Sequence, residues 1–409
     1  MPLIRKSYTI AWISPLEVEL TAAYLMLDEE HPPLAQPLGD PNHYTLGRIA
    51  THNIVIVNLP ITGNTSTAAA VAHMRRTFPS VRFGVLVGIG GGVPAVTDKG
   101  RIHLGDVVVG KPDMGTPGVV EYANFQEWSD GWSSYAKCGS LLLPPAELLE
   151  GVQVVERKRA RLRVDPVREH LRRIDTTIRG LRRYDFPGRS QDFLYATGYH
   201  HEVPGLSCLE AGCDLRVRCL DDSDALGDED DGNDPIITVH TGIIGSGPKL
   251  IKDGVVRDRL AQRHGIVCFE TEAAGAMHGF PCLVIRGISD YCDSRKNNVW
   301  HGYAAAVAAA YARELLCNVP GRGGRRKANV KDNAKPDINH AVPCYVLPLV
   351  VIPGQTAVSV FDNYLPGNGA WRLGLRAARR HGIPNPRNVT HGEDLRPRPP
   401  SGKPPGRKV

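Results

Sequence analysis

Short runs of Val, Ile and Leu, bounded by Gly, Pro or Asn, recur along the first three quarters of the chain. Between them lie stretches with apolar residues at helical spacing. The runs predict strands over 8–13, 53–59, 83–89, 106–110, 236–244, 266–269 and 282–288. Helices are predicted over 16–27, 66–77, 166–183, 248–264, 270–278 and 303–317. Strands that are apolar throughout, rather than on alternate positions, are buried on both faces. Their alternation with helices therefore predicts an α/β domain around a largely parallel sheet, covered on both sides. In such folds ligands bind outside the carboxyl ends of the strands.

Two stretches break the pattern. Residues 187–235 are loop-rich and include an acidic run from Asp228 to Asp231, which reads as a surface insertion. From 319 onward the chain is rich in Arg, Pro and Gly; its one apolar island, 342–352, is too short to span a membrane. The expected organisation is one domain over 5–318, with the insertion at 187–235, followed by a basic, poorly ordered tail over 319–409, with an independent domain there as the lesser alternative.

Composition adds limits. The net charge is +6, and much of the excess sits at 157–183 and 322–327. Such a patch can attract phosphorylated ligands, but a solvated helix face is the simpler reading, and no specific nucleic-acid partner is expected. The cysteines number nine, and Cys268 and Cys282 fall inside apolar runs. An odd count with buried thiols suggests a reducing compartment, and the opening residues lack the apolar core of a signal peptide. A cytoplasmic protein, with a nuclear location as the alternative and no membrane contact, is expected. Cys208 and Cys213, downstream of His200 and His201, are a marginal zinc spacing with no second pair, so no metal is expected. His240 lies in an apolar run and reads as a packed core histidine.

Four segments carry possible chemistry. Ser14 stands where the first strand gives way to a helix, a place suited to an anion or a sugar oxygen, and Glu17 and Glu19 fall in the first helical turn. Val87 to Pro94 forms a glycine-rich strand end, either a flexible turn or a site of close ligand approach. Glu270 and Glu272 bracket Thr271 at a strand-to-helix junction. The acids of both junctions either complement helix dipoles or, at 270–272, accept hydrogen bonds from ribose hydroxyls. Ser289 and Asp290 end the last strand, where Asp290 is either a structural cap or a general acid.

In this order the segments, with Leu104-Gly-Asp-Val-Val-Val109 between them, resemble the purine and uridine phosphorylase superfamily over about 8–317, and within it the nucleosidase branch and the phosphorylase domains of fungal proteins. The resemblance implies a three-layer α/β/α nucleoside phosphorylase-like fold with a mixed, largely parallel sheet. It also implies roles. Asp290 matches the acid that serves purine N7, with Ser289 orienting it. Glu272 matches the glutamate on the ribose hydroxyls, and Glu19 the one that activates water. Ile89, Gly90 and Gly91 match the loop under base and nucleophile, and Leu250 and Ile251 the apolar contacts of the purine; Glu270 and Thr271 fall beside the sugar. Departures are Thr271 for a common Met, Pro248 for an Asp or Asn, and Leu250 for an aromatic.

The implied reaction is cleavage of the N-glycosidic bond of a purine nucleoside or nucleotide, which builds positive charge on the sugar and negative charge on the base. Hydrolysis is favoured over phosphorolysis, because Ser14-Pro-Leu-Glu-Val-Glu lacks the arginine of a phosphate loop. No cofactor is expected, with inorganic phosphate as co-substrate in the phosphorolytic alternative. Arg216 and Arg218 are candidate contacts for a nucleotide's phosphates. A non-catalytic nucleoside or nucleotide sensor is the third reading. The resemblance also implies a homo-oligomer.

Overall fold

The apolar runs become strands whose every residue is shut off from water where the sheet is covered on both faces. A computed structural model describes residues 2–113, 115–122, 141–198, 236–294 and 298–321. The strands are β1 (Ile10–Ser14), β2 (Glu29–His31), β3 (His43–Ile49), β4 (His52–Asn58), β5 (Phe83–Gly92), a small hairpin of β6 (Val96–Thr97) and β7 (Gly100–Arg101), and β8 (Val107–Gly110). They continue with β9 (Val119–Glu121), β10 (Val239–Ser246), β11 (Ile266–Glu270) and β12 (Cys282–Asp290). The helices are α1 (Glu17–Leu25), α2 (Asn64–Thr77), α3 (Ala146–Arg159), α4 (Pro166–Leu171), α5 (Gly254–His264), α6 (Ala273–Met277) and α7 (His301–Asn318).

The sheet runs β11-β10-β8-β12-β5-β1-β4-β3-β2, with β9 on β10. It is the mixed, largely parallel sheet the sequence implied: β4, β1, β5 and β12 are parallel neighbours, while β8 runs antiparallel to β12. One feature exceeds expectation. β11 also pairs antiparallel with the end of β5, Phe269 opposite Gly91, so β5, β12, β8, β10 and β11 close on themselves. The closure brings the carboxyl end of β11 against those of β5 and β12, which juxtaposes the glycine-rich strand end with Glu270 and Asp290.

Helix α7 anchors this arrangement. Every residue from Gly302 to Leu316 is buried, and the helix packs on β5, β8 and β12 and against α1, α3 and α4. A helix enclosed on all sides must be apolar around its circumference, and its run of alanines lets neighbours approach closely. At Gly287 of β12 a Cβ would overlap the carbonyl of Ala304. The two charges near its end are both partnered. Arg313 donates to Met26 O and to Asp28 at 2.6 Å, and Glu314 accepts from Lys158 at 2.6 Å and contacts His170 at 2.9 Å.

Several sequence expectations are corrected. The helix expected over 166–183 stops at Leu171, and the chain resumes only as a 3-10 turn, Arg179–Tyr184. Asp175 explains part of the break, because its carboxylate accepts from the amide and hydroxyl of Thr177 and so stabilises a local turn. The helix expected over 248–264 starts only at Gly254, where Asp253 caps the amides of Val255 and Val256. Strands β2, β3 and β9 and helix α3 were not expected. The start of the expected surface insertion, 187–198, is not wholly superficial, since Asp192, Leu194 and Tyr195 are buried. His200, His201, Cys208, Cys213, Arg216, Arg218, the acidic run and the tail beyond 321 lie outside the described residues. No helix among the described residues is long and apolar enough to cross a membrane.

The contact at Gly287 gives a stability test. Gly287→Ala should lower the thermal midpoint by roughly 5–10 °C, the range for forcing one methyl into a packed core of this size. Gly279→Ala, where a Cβ meets open space, should leave the midpoint nearly unchanged. Equal midpoints for the two variants would disprove the close approach of α7 and β12.

Candidate active site

Glu19 reaches its position through a helix cap. Leu16 is the N-cap of α1, and Glu19, three residues on, accepts a hydrogen bond from the Leu16 amide at 2.8 Å. Its other oxygen accepts from the Ile89 amide on β5 at 2.7 Å. The side chain is buried, and burial pushes its pKa up to about 7; Arg286 and the two amides pull the other way, and the neighbouring Glu272 adds to the rise. Gly88 makes room for this contact. A Cβ at Gly88 would overlap the Glu19 carboxylate and crowd Arg286.

The pair at the β11–α6 junction divides its work. Glu270 accepts from the amides of Glu272 at 3.0 Å and Ala273 at 2.9 Å, and it is in contact with Nη2 of Arg286. Its oxygens therefore cap α6 and hold the arginine, although the residue lines the cleft; burial pushes its pKa up against the pull of Arg286. Glu272 accepts from the Gly63 amide at 3.1 Å and from the hydroxyl of Thr271, and lies 3.4 Å from Arg286. Arg286, fully buried in β12, thus faces Glu19 at 4.0 Å, Glu270 and Glu272 together.

Asp290 ends β12. Its oxygens accept from the Ser289 hydroxyl at 3.1 Å and the Cys292 amide at 2.9 Å. Glu19, Glu270, Glu272 and Ser289 line a cleft of about 320 Å³. Of the residues anticipated from sequence, Glu19, Ile89, Gly90, Gly91, Leu250, Glu270, Thr271, Glu272 and Ser289 line the cleft. Asp290 and Ile251 line a narrow recess that shares Gly91, Leu250, Phe269, Glu270 and Thr271 with it. The cleft thus has a wide lobe at Glu19 and Glu272 and a narrow one at Asp290. Leu250 is half exposed at the mouth.

Ser14 is elsewhere. Its hydroxyl donates to Val87 O at 2.8 Å and accepts from the Trp12 indole at 3.1 Å, so it ties β1 to β5 instead of facing the cleft. His240 is a buried core residue, as expected, and bonds to Asp106 at 3.1 Å and Thr97 at 2.8 Å. Sequence reasoning missed Arg286, Phe269 and His301. For Arg286 a signal was present, because a lone arginine in an otherwise apolar strand needs buried acidic partners. For His301 there was none, since only the packing of α7 brings it to the cleft.

No family model matches the chain. Over 318 residues, 77% of this chain, it is 38% identical to a nucleotide-binding leucine-rich repeat (NLR)-like protein of Hyaloscypha variabilis, of which the match covers 30%. It is 36% identical over 86 residues to the ATP nucleosidase Cap17 of Escherichia coli, covering 20% of this chain and 17% of that protein. The chain thus spans less than a third of the curated relatives it matches. Among solved structures, a 5′-methylthioadenosine/S-adenosylhomocysteine nucleosidase of Neisseria meningitidis aligns with 76% of this chain and 98% of its own at 15% identity and a TM-score of 0.46. The futalosine hydrolase of Helicobacter pylori aligns with 76% of this chain and 97% of its own at 13% identity and a TM-score of 0.46. The motifs that resemble those of the purine and uridine phosphorylase superfamily stand in that order along the chain, and a mixed α/β fold gathers them around one cleft and its recess.

Proposed function

We propose that residues 5–318 form a catalytic domain that hydrolyses the N-glycosidic bond of a purine nucleoside or nucleotide and releases the free base. The observation that carries this reading is the lining up of Glu19, Glu272 and Asp290 along one cleft and its recess. With the purine in the cleft and its N7 edge turned to the narrow recess, Asp290 delivers a proton to N7 as the C1′–N9 bond breaks and its electron pair passes to the base. The sugar then occupies the wide lobe, where Glu272 accepts from the ribose hydroxyls and stabilises the positive charge growing on C1′. Water bonds to C1′ and gives its proton to Glu19. A carboxyl with a pKa of about 7 suits that task, being a stronger base than an ordinary glutamate yet substantially ionised near neutrality. Phosphorolysis fits the site less well, since Glu19 would repel an incoming phosphate and Arg286 is already engaged by carboxylates. The match to part of an NLR-like protein supports a second reading, in which the cleft binds its ligand to signal rather than to cleave.

The deciding assay follows base release from adenosine, inosine, guanosine, methylthioadenosine, AMP and ATP, with and without phosphate. Hydrolysis requires release in phosphate-free buffer, and Asp290→Asn and Glu272→Gln should each lower kcat by roughly 10²–10⁴-fold with the protein still folded. Release only with phosphate would make the protein a phosphorylase, and binding without release would leave the signalling reading.

The role of Glu19 has its own signature. The base form is the ionised one, so kcat should fall about tenfold per pH unit below 7 and level off above it. A rate flat between about pH 5 and 8 would remove Glu19 as the base.

A further inference from the structure

Glu19, Glu270 and Glu272 give the cleft an acidic lining, in which His301 is the one basic residue among the described residues. His301 lines the wide lobe only, away from the Asp290 recess, and it is the first residue of the 18-residue helix α7. The turn Arg179–Tyr184 packs against that helix, so closely that a Cβ on Gly302 would overlap the carbonyl of Arg183. The same turn is fastened to the start of α1. Arg183 donates to Glu17 at 2.7 Å, and the Tyr184 hydroxyl donates to Val18 O at 2.8 Å. Pro15 and Leu16, immediately before Glu17, line the cleft as well. The turn therefore straps together two elements that form the rim, and it carries Arg179, Arg182 and Arg183, all exposed.

We propose that this rim receives the 5′-phosphates of a nucleotide, with His301 and the arginines of the Arg179–Tyr184 turn selecting nucleoside polyphosphates over nucleosides. The proposal rests on the glycosidase reading of the cleft, because it takes its orientation from the base at Asp290 and the ribose at Glu272. In that orientation the sugar's 5′ end points to the remaining wall of the wide lobe, where His301 stands. An imidazole N–H donates to a phosphate oxygen, and guanidinium groups bind phosphates with paired, charge-assisted bonds. The cations also offset the repulsion a polyphosphate meets from the carboxylates within. Glu17 is the opposing acid at this rim: it holds Arg183 when no phosphate is present and competes with phosphate for it.

The test compares ATP, AMP and adenosine, by kcat/KM and by calorimetric binding, in wild type, His301→Ala, Arg182→Ala/Arg183→Ala and Glu17→Gln. The wild type should prefer ATP to adenosine. The His301 variant and the double variant should each lower that ratio about tenfold or more, and Glu17→Gln should raise it. The ATP advantage should also shrink with added NaCl, because exposed cations are screened. A wild-type ratio near one, or a ratio unmoved by both the variants and salt, overturns the proposal. If no substrate is cleaved, the hydrolytic reading fails, while the ATP-to-adenosine affinity ratio still decides for or against the phosphate site.

Discussion

Arg286, enclosed in β12 with no exposure to water, faces the carboxylates of Glu19, Glu270 and Glu272 at once. Burying any of these charges alone would cost several kcal/mol, and only their mutual contact makes the cluster tolerable. One guanidinium cannot neutralise three carboxylates. The surplus negative potential falls at the wide lobe; burial is the main cause that leaves Glu19 with a pKa of about 7, and the charge of Glu272 adds to it. In the proposed reaction that potential acts where it is most useful, on a sugar that becomes cationic only in the transition state. Gly88 is part of the same device, since any side chain there would exclude Glu19 from the arginine.

The acids at the helix starts had two competing readings, as dipole partners or as chemical groups, and the structure divides them residue by residue. Glu17 is exposed and paired with Arg183 at the rim. Glu19 is both cap and cleft wall, with one oxygen on the Leu16 amide and the other on Ile89. Glu270 spends its oxygens on α6 and Arg286, whereas Glu272, held by Gly63 and Thr271, keeps its place on the wide lobe. Capping fixes the backbone and the side chain together, so these carboxylates are oriented by the fold itself.

Behind the narrow lobe a second polar network supports Asp290. Tyr291 donates to Asp192 at 2.8 Å, Asp192 contacts His103 at 3.1 Å, and Asp106 accepts from the His103 amide at 2.7 Å while bonding to His240. Arg257 donates to the Tyr291 carbonyl at 2.7 Å. The network locks the backbone on either side of the acid. It also gives the Leu104-Gly-Asp-Val-Val-Val109 motif a structural meaning: Asp106 knits β8 to β10 and the turn before it.

The sequence by itself determined the strands around which the domain is built, because continuous burial writes itself as an unbroken apolar run at β1, β5 and β12. It also determined the order of the motifs, and through them the acids Glu19, Glu272 and Asp290. Short edge strands such as β2 and β3 were illegible, since half-exposed segments carry mixed residues, and the break after Leu171 depended on a turn at Asp175 too local to disturb the helical pattern. What only the tertiary structure decided were the partnerships: β11 closing against β5, Arg286 gathering carboxylates from three elements, Ser14 turned inward, and His301 carried to the cleft by α7. Each joins residues far apart in the chain. Periodicity records how much a position is buried, but not which distant side chain it is buried against.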